Sequence, residues 1–187
     1  MKKLKLGILL LSALLMFTSC EETEDLEVNE TNVIQESSLI GTWNMTSYES
    51  LNGSTTTTFN NETSTIYYST SGSDFDYQLE ISENPNIMSG SGAYTGTITY
   101  DNGSSQSTRI NTDYYDQNLL SGTWEFNDNI LTMTTTDDTT EMEVSLNENI
   151  LTLTSQLNEV ITENYLGYSY TAIARGEVVM TFERVTE

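Results

Sequence analysis

The sequence predicts an all-β domain, an antiparallel sandwich or barrel of short strands. Three observations carry that expectation. From residue 39 onward, apolar and polar residues alternate with a period of two, as in strands with one dry face and one wet face. Clusters of Asn, Asp, Ser and Gly recur between those runs and read as turns. No stretch long enough for a stable helix carries a 3.6-residue apolar period.

The chain opens with Lys2, Lys3 and Lys5, followed by an apolar run over residues 6–17. That run has the length of a signal-peptide core and is too short to span a bilayer comfortably. It ends in Met16-Phe17-Thr18-Ser19-Cys20, where small polar residues lead into the only cysteine of the chain. This segment resembles the lipobox of bacterial lipoproteins, with Phe17 where leucine is usual. The resemblance implies a signal peptide over 1–19, cleavage before Cys20, and acylation of Cys20 as the membrane anchor. The alternative is a secretory signal with an incidental cysteine.

Residues 20–38 read as a lipidated acidic tether, opening with Glu21, Glu22, Glu24 and Asp25 and holding few core-forming side chains. A flexible segment of that length reaches ~25 Å. An acidic cluster directly after the anchor resembles the surface-export tag of lipoproteins in one large group of Gram-negative bacteria. That likeness implies an outer-membrane protein displayed at the cell surface. A solvated charge run is the alternative.

The domain is expected over 39–187. Trp43, Met45 and Ser47 alternate with polar neighbours, as do Leu79 and Ile81 around Glu80. The same pattern runs through Tyr94, Gly96, Ile98 and Tyr100; through Met142, Val144 and Leu146; and through Val178, Met180 and Phe182. Abundant Thr and Tyr support strands. Turn signals stand at Asn52-Gly53, Ser71-Gly72, Asn84-Pro85-Asn86, Asp101-Asn102-Gly103, Asn127-Asp128-Asn129, Asp137-Asp138 and Asn147-Glu148-Asn149. A short helical turn before Leu39 is compatible with the pattern, and residues 157–170 are ambiguous.

Two internal echoes sharpen this picture. Leu39-Ile40-Gly41-Thr42-Trp43 recurs as Leu120-Ser121-Gly122-Thr123-Trp124. Asn127-Asp128-Asn129-Ile130-Leu131-Thr132-Met133-Thr134 recurs as Asn147-Glu148-Asn149-Ile150-Leu151-Thr152-Leu153-Thr154, a turn-plus-strand unit at hairpin spacing. Such a unit is what an up-and-down meander repeats. The Gly41-Thr42-Trp43 segment resembles the first strand of lipocalin-like domains in bacterial lipoproteins, and Val179-Met180-Thr181-Phe182-Glu183-Arg184 resembles their closing strand. The resemblance implies an antiparallel up-and-down lipocalin-like barrel of about eight to ten strands in which Arg184 packs over Trp43 at the closed end. Arginine over an indole contributes ~1 kcal/mol when partly exposed.

Charge and composition exclude several functions. The chain has 28 acidic residues, 6 basic ones, no histidine and a formal charge of −22. Loss of the signal peptide removes every lysine and leaves Arg109, Arg175 and Arg184 as the only cations. Such a surface repels nucleic acid and anionic headgroups. With Cys20 acylated the domain forms no disulfide, which suits a bacterial envelope. The absence of His, Lys and free Cys removes the usual triads, Schiff-base chemistry and ordinary zinc sites.

Carboxylate chemistry remains, but no acid pair sits in a recognisable motif, so no enzyme and no cofactor are expected. Asp74 with Asp76, Asp113 with Asp116, and Asp137-Asp138 offer oxygen ligands to calcium; solvated turn acids are the plainer account. Tyr67-Tyr68 and Tyr114-Tyr115 offer glycan-stacking faces, although adjacent strand residues point to opposite sides. Asp138-Thr139-Thr140 resembles a short O-glycosylation sequon.

Trp43, Trp124, Phe126, Leu131, Met142 and Phe182 are expected to face inward, interspersed with small residues such as Gly96 and Ser47. Inward Met133, Met142 and Met180 favour an adaptable lining. The expected role is binding of a small or extended ligand, hydrophobic or glycan, in a partly open interior. The alternative is a filled barrel whose outer face docks an envelope protein.

Overall fold

The alternating pattern becomes nine strands, β1 (Gly41–Phe59), β2 (Glu62–Ser82), β3 (Ile87–Asp101), β4 (Gln106–Asn111), β5 (Gly122–Asn127), β6 (Ile130–Thr134), β7 (Thr139–Asn147), β8 (Ile150–Tyr165) and β9 (Tyr168–Arg184). The computed structural model describes residues 33–59, 61–101, 106–111, 119–165 and 168–186. The expected signal peptide, Cys20 and the acidic cluster lie outside the described residues, as do Asn102-Gly103 and the Asp113 to Asp116 stretch with Tyr114-Tyr115.

The strand order is β2-β1-β9-β8-β7-β6-β5-β3-β4, and β2 also pairs with β3. That last pairing closes the sheet. Eight strands form an antiparallel up-and-down ring, and β4 lies beside β3 as an added strand. Closure satisfies backbone groups that would otherwise line two open edges.

The strands are unequal. β1, β2 and β9 run for 19, 21 and 17 residues, whereas β5, β6 and β7 run for 6, 5 and 9. Past the tops of the short strands, the long ones continue as a sheet in the order β4-β3-β2-β1-β9-β8. "Upper" below means toward the β1–β2 and β8–β9 turns. The ambiguous stretch 157–170 belongs to the hairpin of β8 and β9.

The core fills the ring. Leu39, Trp43, Leu79, Leu131, Leu151, Leu153 and Phe182 are 0 % exposed. Each side chain buried this completely contributes about 1.5–3 kcal/mol of transfer free energy. Met133, Met142 and Met180 are buried among them.

The two echoed turns close the β5–β6 and β7–β8 hairpins of the meander. Asn127 and Ile130 are partners across Asp128 (φ 50°) and Asn129 (φ 63°). Positive φ at both central residues matches the twist of the flanking strands, and Asp and Asn tolerate it well. Asn147 and Ile150 pair across Glu148, whose φ is 53°.

Two expected turns are instead irregularities inside continuous strands. Asn52-Gly53 lies within β1 and Ser71-Gly72 within β2. Asn52 has φ 53°, and the β1–β9 register slips between Leu51 and Ser54. An earlier slip falls between Met45 and Ser47, where Met45 opposes Phe182 and Ser47 opposes Thr181. One extra residue reverses which side chains face inward. Ser47 therefore leaves the inward face, a correction to its expected position, and Tyr48 opposite Met180 packs against the core in its place. The second bulge restores the original parity.

Closure at β3–β5 rests on only two register pairs, Ile87 with Thr123 and Met88 with Gly122. Side chains reinforce it. The Trp124 indole N–H donates to the Ser82 carbonyl (3.0 Å), and Gly90 N–H donates to Ser121 Oγ (3.1 Å). Leu120 N–H donates to the Tyr77 hydroxyl (3.3 Å). A Cβ at Gly90 would stand 1.8 Å from that hydroxyl, so the close approach requires glycine.

Candidate functional site

The two ends of the ring differ, and the difference locates the site. The lower end is covered by residues 33–40. A 3₁₀ turn, Glu36–Ser38, leads into Leu39, which is fully buried. Ile34 packs against the core, and its N–H donates to Asn129 Oδ1 (3.3 Å) at the β5–β6 turn. These last residues of the segment read as tether thus form a strap across the ring.

Arg184 fixes that strap. Its guanidinium carbon lies 4.0 Å from the centroid of the Trp43 ring. One guanidinium nitrogen donates to the Ile40 carbonyl (2.8 Å) and another to the Ser38 carbonyl. The Trp43 indole N–H donates to the Leu39 carbonyl (2.9 Å). Gly41 leaves room for the arginine, since a Cβ there would sit 2.6 Å from its terminal nitrogen.

The structure therefore brings Trp43, Phe182 and Arg184 together: Trp43 pairs with Arg184, and Met45 beside it pairs with Phe182. Trp124 is buried at the β3–β5 seam. Phe126 is half-buried against the core.

Among the described residues, no segment comparable to the strap covers the upper end. β7 and β8 pair from Asn147–Ile150 up to Glu143–Thr154 and no further. Above that point β7 stays with β6 while β8 follows β9 into the upper sheet. The divergence leaves a half-open groove of about 880 Å³, bounded by Thr139 and Glu141 on one side and by Gln156 and Val160 on the other. Met142, Leu157 and Val178 line its inner wall. Met142 is 1 % exposed to solvent, so the groove floor is the top of the core itself. Groove acids are Asp138, Glu141, Glu143 and Glu159, and among the described residues no lysine or arginine lines it.

Above the ring, an aromatic cluster occupies the inner face. Tyr94 lies 5.0 Å from Tyr48, 5.8 Å from Phe75 and edge-on to Tyr77 at 6.5 Å. Tyr68 is half-buried whereas Tyr67 is 59 % exposed, the opposite orientation expected of adjacent strand residues. Burial first, then Tyr100 and Glu159, push the Tyr68 hydroxyl above its ordinary pKa. A second, smaller hollow of about 410 Å³ lies where β1 and β2 lose register, lined by Asn44, Asp76, Gln78 and Ser91.

The other candidates remain separate. Among the described residues no three His, Cys, Asp or Glu side chains come together in a metal-binding group. Asp137-Asp138 forms the β6–β7 turn, where both backbone N–H groups donate to Thr135 Oγ1 (3.2 and 3.0 Å). Thr139 begins β7 and is exposed.

Sequence reasoning missed the groove because nothing in its residues is chemically unusual. One signal was present: the turn signals bounding β7 are close together, and those bounding β8 are far apart. A strand that outruns its neighbour must part from it. Comparison with protein-family models, with curated proteins and with solved structures finds no match to this chain.

Proposed function

We propose that the chain is an exported binding lipoprotein, anchored to the outer membrane through acylated Cys20 and displayed at the cell surface. Its lipocalin-like ring takes an extended ligand in the groove between β7 and β8, not in the centre of the ring. The observation that carries this reading is the asymmetry of the ends. The lower end is sealed by the strap under Arg184, while the upper end opens into about 880 Å³ lined by both apolar and polar side chains. That volume falls within the range of ligand sites, which combine an apolar wall with a few polar groups. Among the described residues the ring centre is filled by closely packed side chains, which favours the groove over the centre as the ligand site.

A Leu157→Trp variant tests the reading. Trp43 and Trp124 are buried away from the groove, whereas Leu157 lines it. A panel of fatty acids, oligosaccharides and extended peptides should include one class that shifts the variant's emission saturably. The same class should raise the parent's melting temperature by mass action, ~2.7 kcal/mol at a hundredfold excess over the dissociation constant. Silence across the whole panel would transfer support to the second reading, a structural lipoprotein docking a protein partner. The close-packed core favours that second reading.

The anchor has its own test. One acyl chain holds a protein only marginally, and several hold it durably, at ~0.8 kcal/mol per buried methylene. Cys20→Ser should appear in the soluble fraction or accumulate with its signal peptide attached. A processed Cys20→Ser protein that still pellets with membranes would remove the lipobox reading.

A further inference from the structure

The backbone of the groove walls says more than their side chains. In an antiparallel ladder, alternate residues direct N–H and C=O to one neighbour and the intervening residues to the other. Val144 N–H donates to Asn129 on the β6 side (2.8 Å), so Thr140 and Met142 also face β6. Thr139 and Glu141 then face the groove, with the Thr139 N–H already donating to Asp138 Oδ1 (2.8 Å). On β8, the Asn149 carbonyl accepts from Arg184 N–H (2.8 Å) on the β9 side, so odd-numbered positions face β9. Gln156, Asn158 and Val160 face the groove. Among the described residues no strand pairs with either edge above Glu143–Thr154. The open edge groups are thus those of Glu141 on β7 and of Gln156, Asn158 and Val160 on β8, and an unpaired edge of this kind is the template for strand addition.

The side chains state which strand would fit. On the inner side the walls present Met142, Leu157 and Val178, with Glu159 two positions beyond Leu157 on the same face, and on the outer side Glu141 and Glu143, both exposed. Successive side chains of an inserted strand point alternately to these two sides. Resting on the binding reading above, we propose that the groove takes an extended peptide of alternating apolar and basic residues. Its apolar residues meet the top of the core, and its basic residues meet the acidic outer rim. The peptide runs antiparallel to one wall and parallel to the other, because β7 and β8 run oppositely. A second copy of this chain is a poor occupant, since each copy carries a formal charge of −22.

The test uses full-length protein in detergent and a fluorescein-labelled Val–Lys alternating peptide of about eight residues, a typical strand length. Anisotropy should rise saturably, and affinity should fall with salt. N-methylation of every second peptide amide should weaken binding about tenfold or more, because it removes donors along one edge. A Val–Glu alternating peptide should not bind. Asn158→Pro should weaken binding while leaving the β8–β9 ladder intact, since the lost N–H is one that faces the groove. Should that variant misfold, the N-methylated peptide still decides the matter on the parent protein.

Equal binding of the N-methylated peptide would overturn strand addition, leaving only charge attraction. No Val–Lys binding by about 1 mM, together with a Leu157→Trp response to a fatty acid or glycan, would overturn the peptide and leave the groove as a ligand site. No response of that variant to anything would remove both.

Discussion

Trp43→Ala is expected to lower the unfolding free energy by about 3–5 kcal/mol, the range for deleting a buried tryptophan. The indole is 0 % exposed, its N–H is bonded to the Leu39 carbonyl, and its face carries the Arg184 guanidinium. Alanine leaves a cavity between strap and ring, an unpartnered carbonyl, and an arginine without its aromatic platform. The last two losses add to the transfer cost rather than repeat it. For a domain of this size a loss of that order lowers the melting temperature by on the order of 10 °C. Total stability of such domains is only about 5–15 kcal/mol, so the variant should sit close to its unfolding threshold. Trp43→Phe keeps a ring under the arginine and should cost less. Urea titration followed by the remaining Trp124 fluorescence measures both variants. A melting temperature within about 2 °C of the parent would show that the strap is not part of the cooperative unit.

Raising the pH from 10 to 12 should remove roughly 2 kcal/mol of stability through one tyrosine. The Tyr77 hydroxyl is pushed up to about 12 by burial; the hydrogen bond from Leu120 N–H acts the other way but is the smaller effect. The side chain is 2 % exposed, so its ionised form has no water around it. In the unfolded chain the group ionises near 10.0. Below pH 10 both states hold the proton and the contribution is complete. Between 10 and 12 only the unfolded state releases it, and stability falls with rising pH. Tyr68 is shifted in the same direction and steepens the same limb. In Tyr77→Phe the stability at pH 8 should fall modestly, because Leu120 N–H loses its acceptor, but the loss between pH 10 and 12 should be clearly shallower. Identical slopes for parent and variant would assign the alkaline loss to other tyrosines or to charge repulsion.

Most of the fold was legible before any coordinates. Alternation fixed the inward faces of β3, β7 and β9, with Tyr94, Met142, Val144, Met180 and Phe182 all buried as expected. The echoed Asn-x-Asn turns marked the β5–β6 and β7–β8 hairpins; in the first, Asp128 and Asn129 adopt left-handed backbone that Asp and Asn tolerate well, and in the second that backbone falls on Glu148. The pairing of Trp43 with Arg184 was also legible, through the likeness of the first and last strands to lipocalin-like domains.

The misread positions share one cause. Asn52-Gly53 suits a bulge as well as it suits a turn, and the residues alone do not distinguish them. Which occurs depends on whether a partner strand continues alongside, and β9 does continue alongside β1. The same holds for Ser47, whose face was reversed by one extra residue opposite a strand far away in sequence.

By itself, then, the sequence determined what is local: strand propensity, the side of each strand that stays dry, and the sites of the tight hairpins. These depend on neighbours within a few residues, and the residues carry that information directly. Only the tertiary structure decided the closing β3–β5 seam, the strap over the ring, and the groove between β7 and β8. Each depends on where a long strand stops pairing with a shorter one. That limit is set by the register and length of partners distant in the chain, and no single segment encodes it.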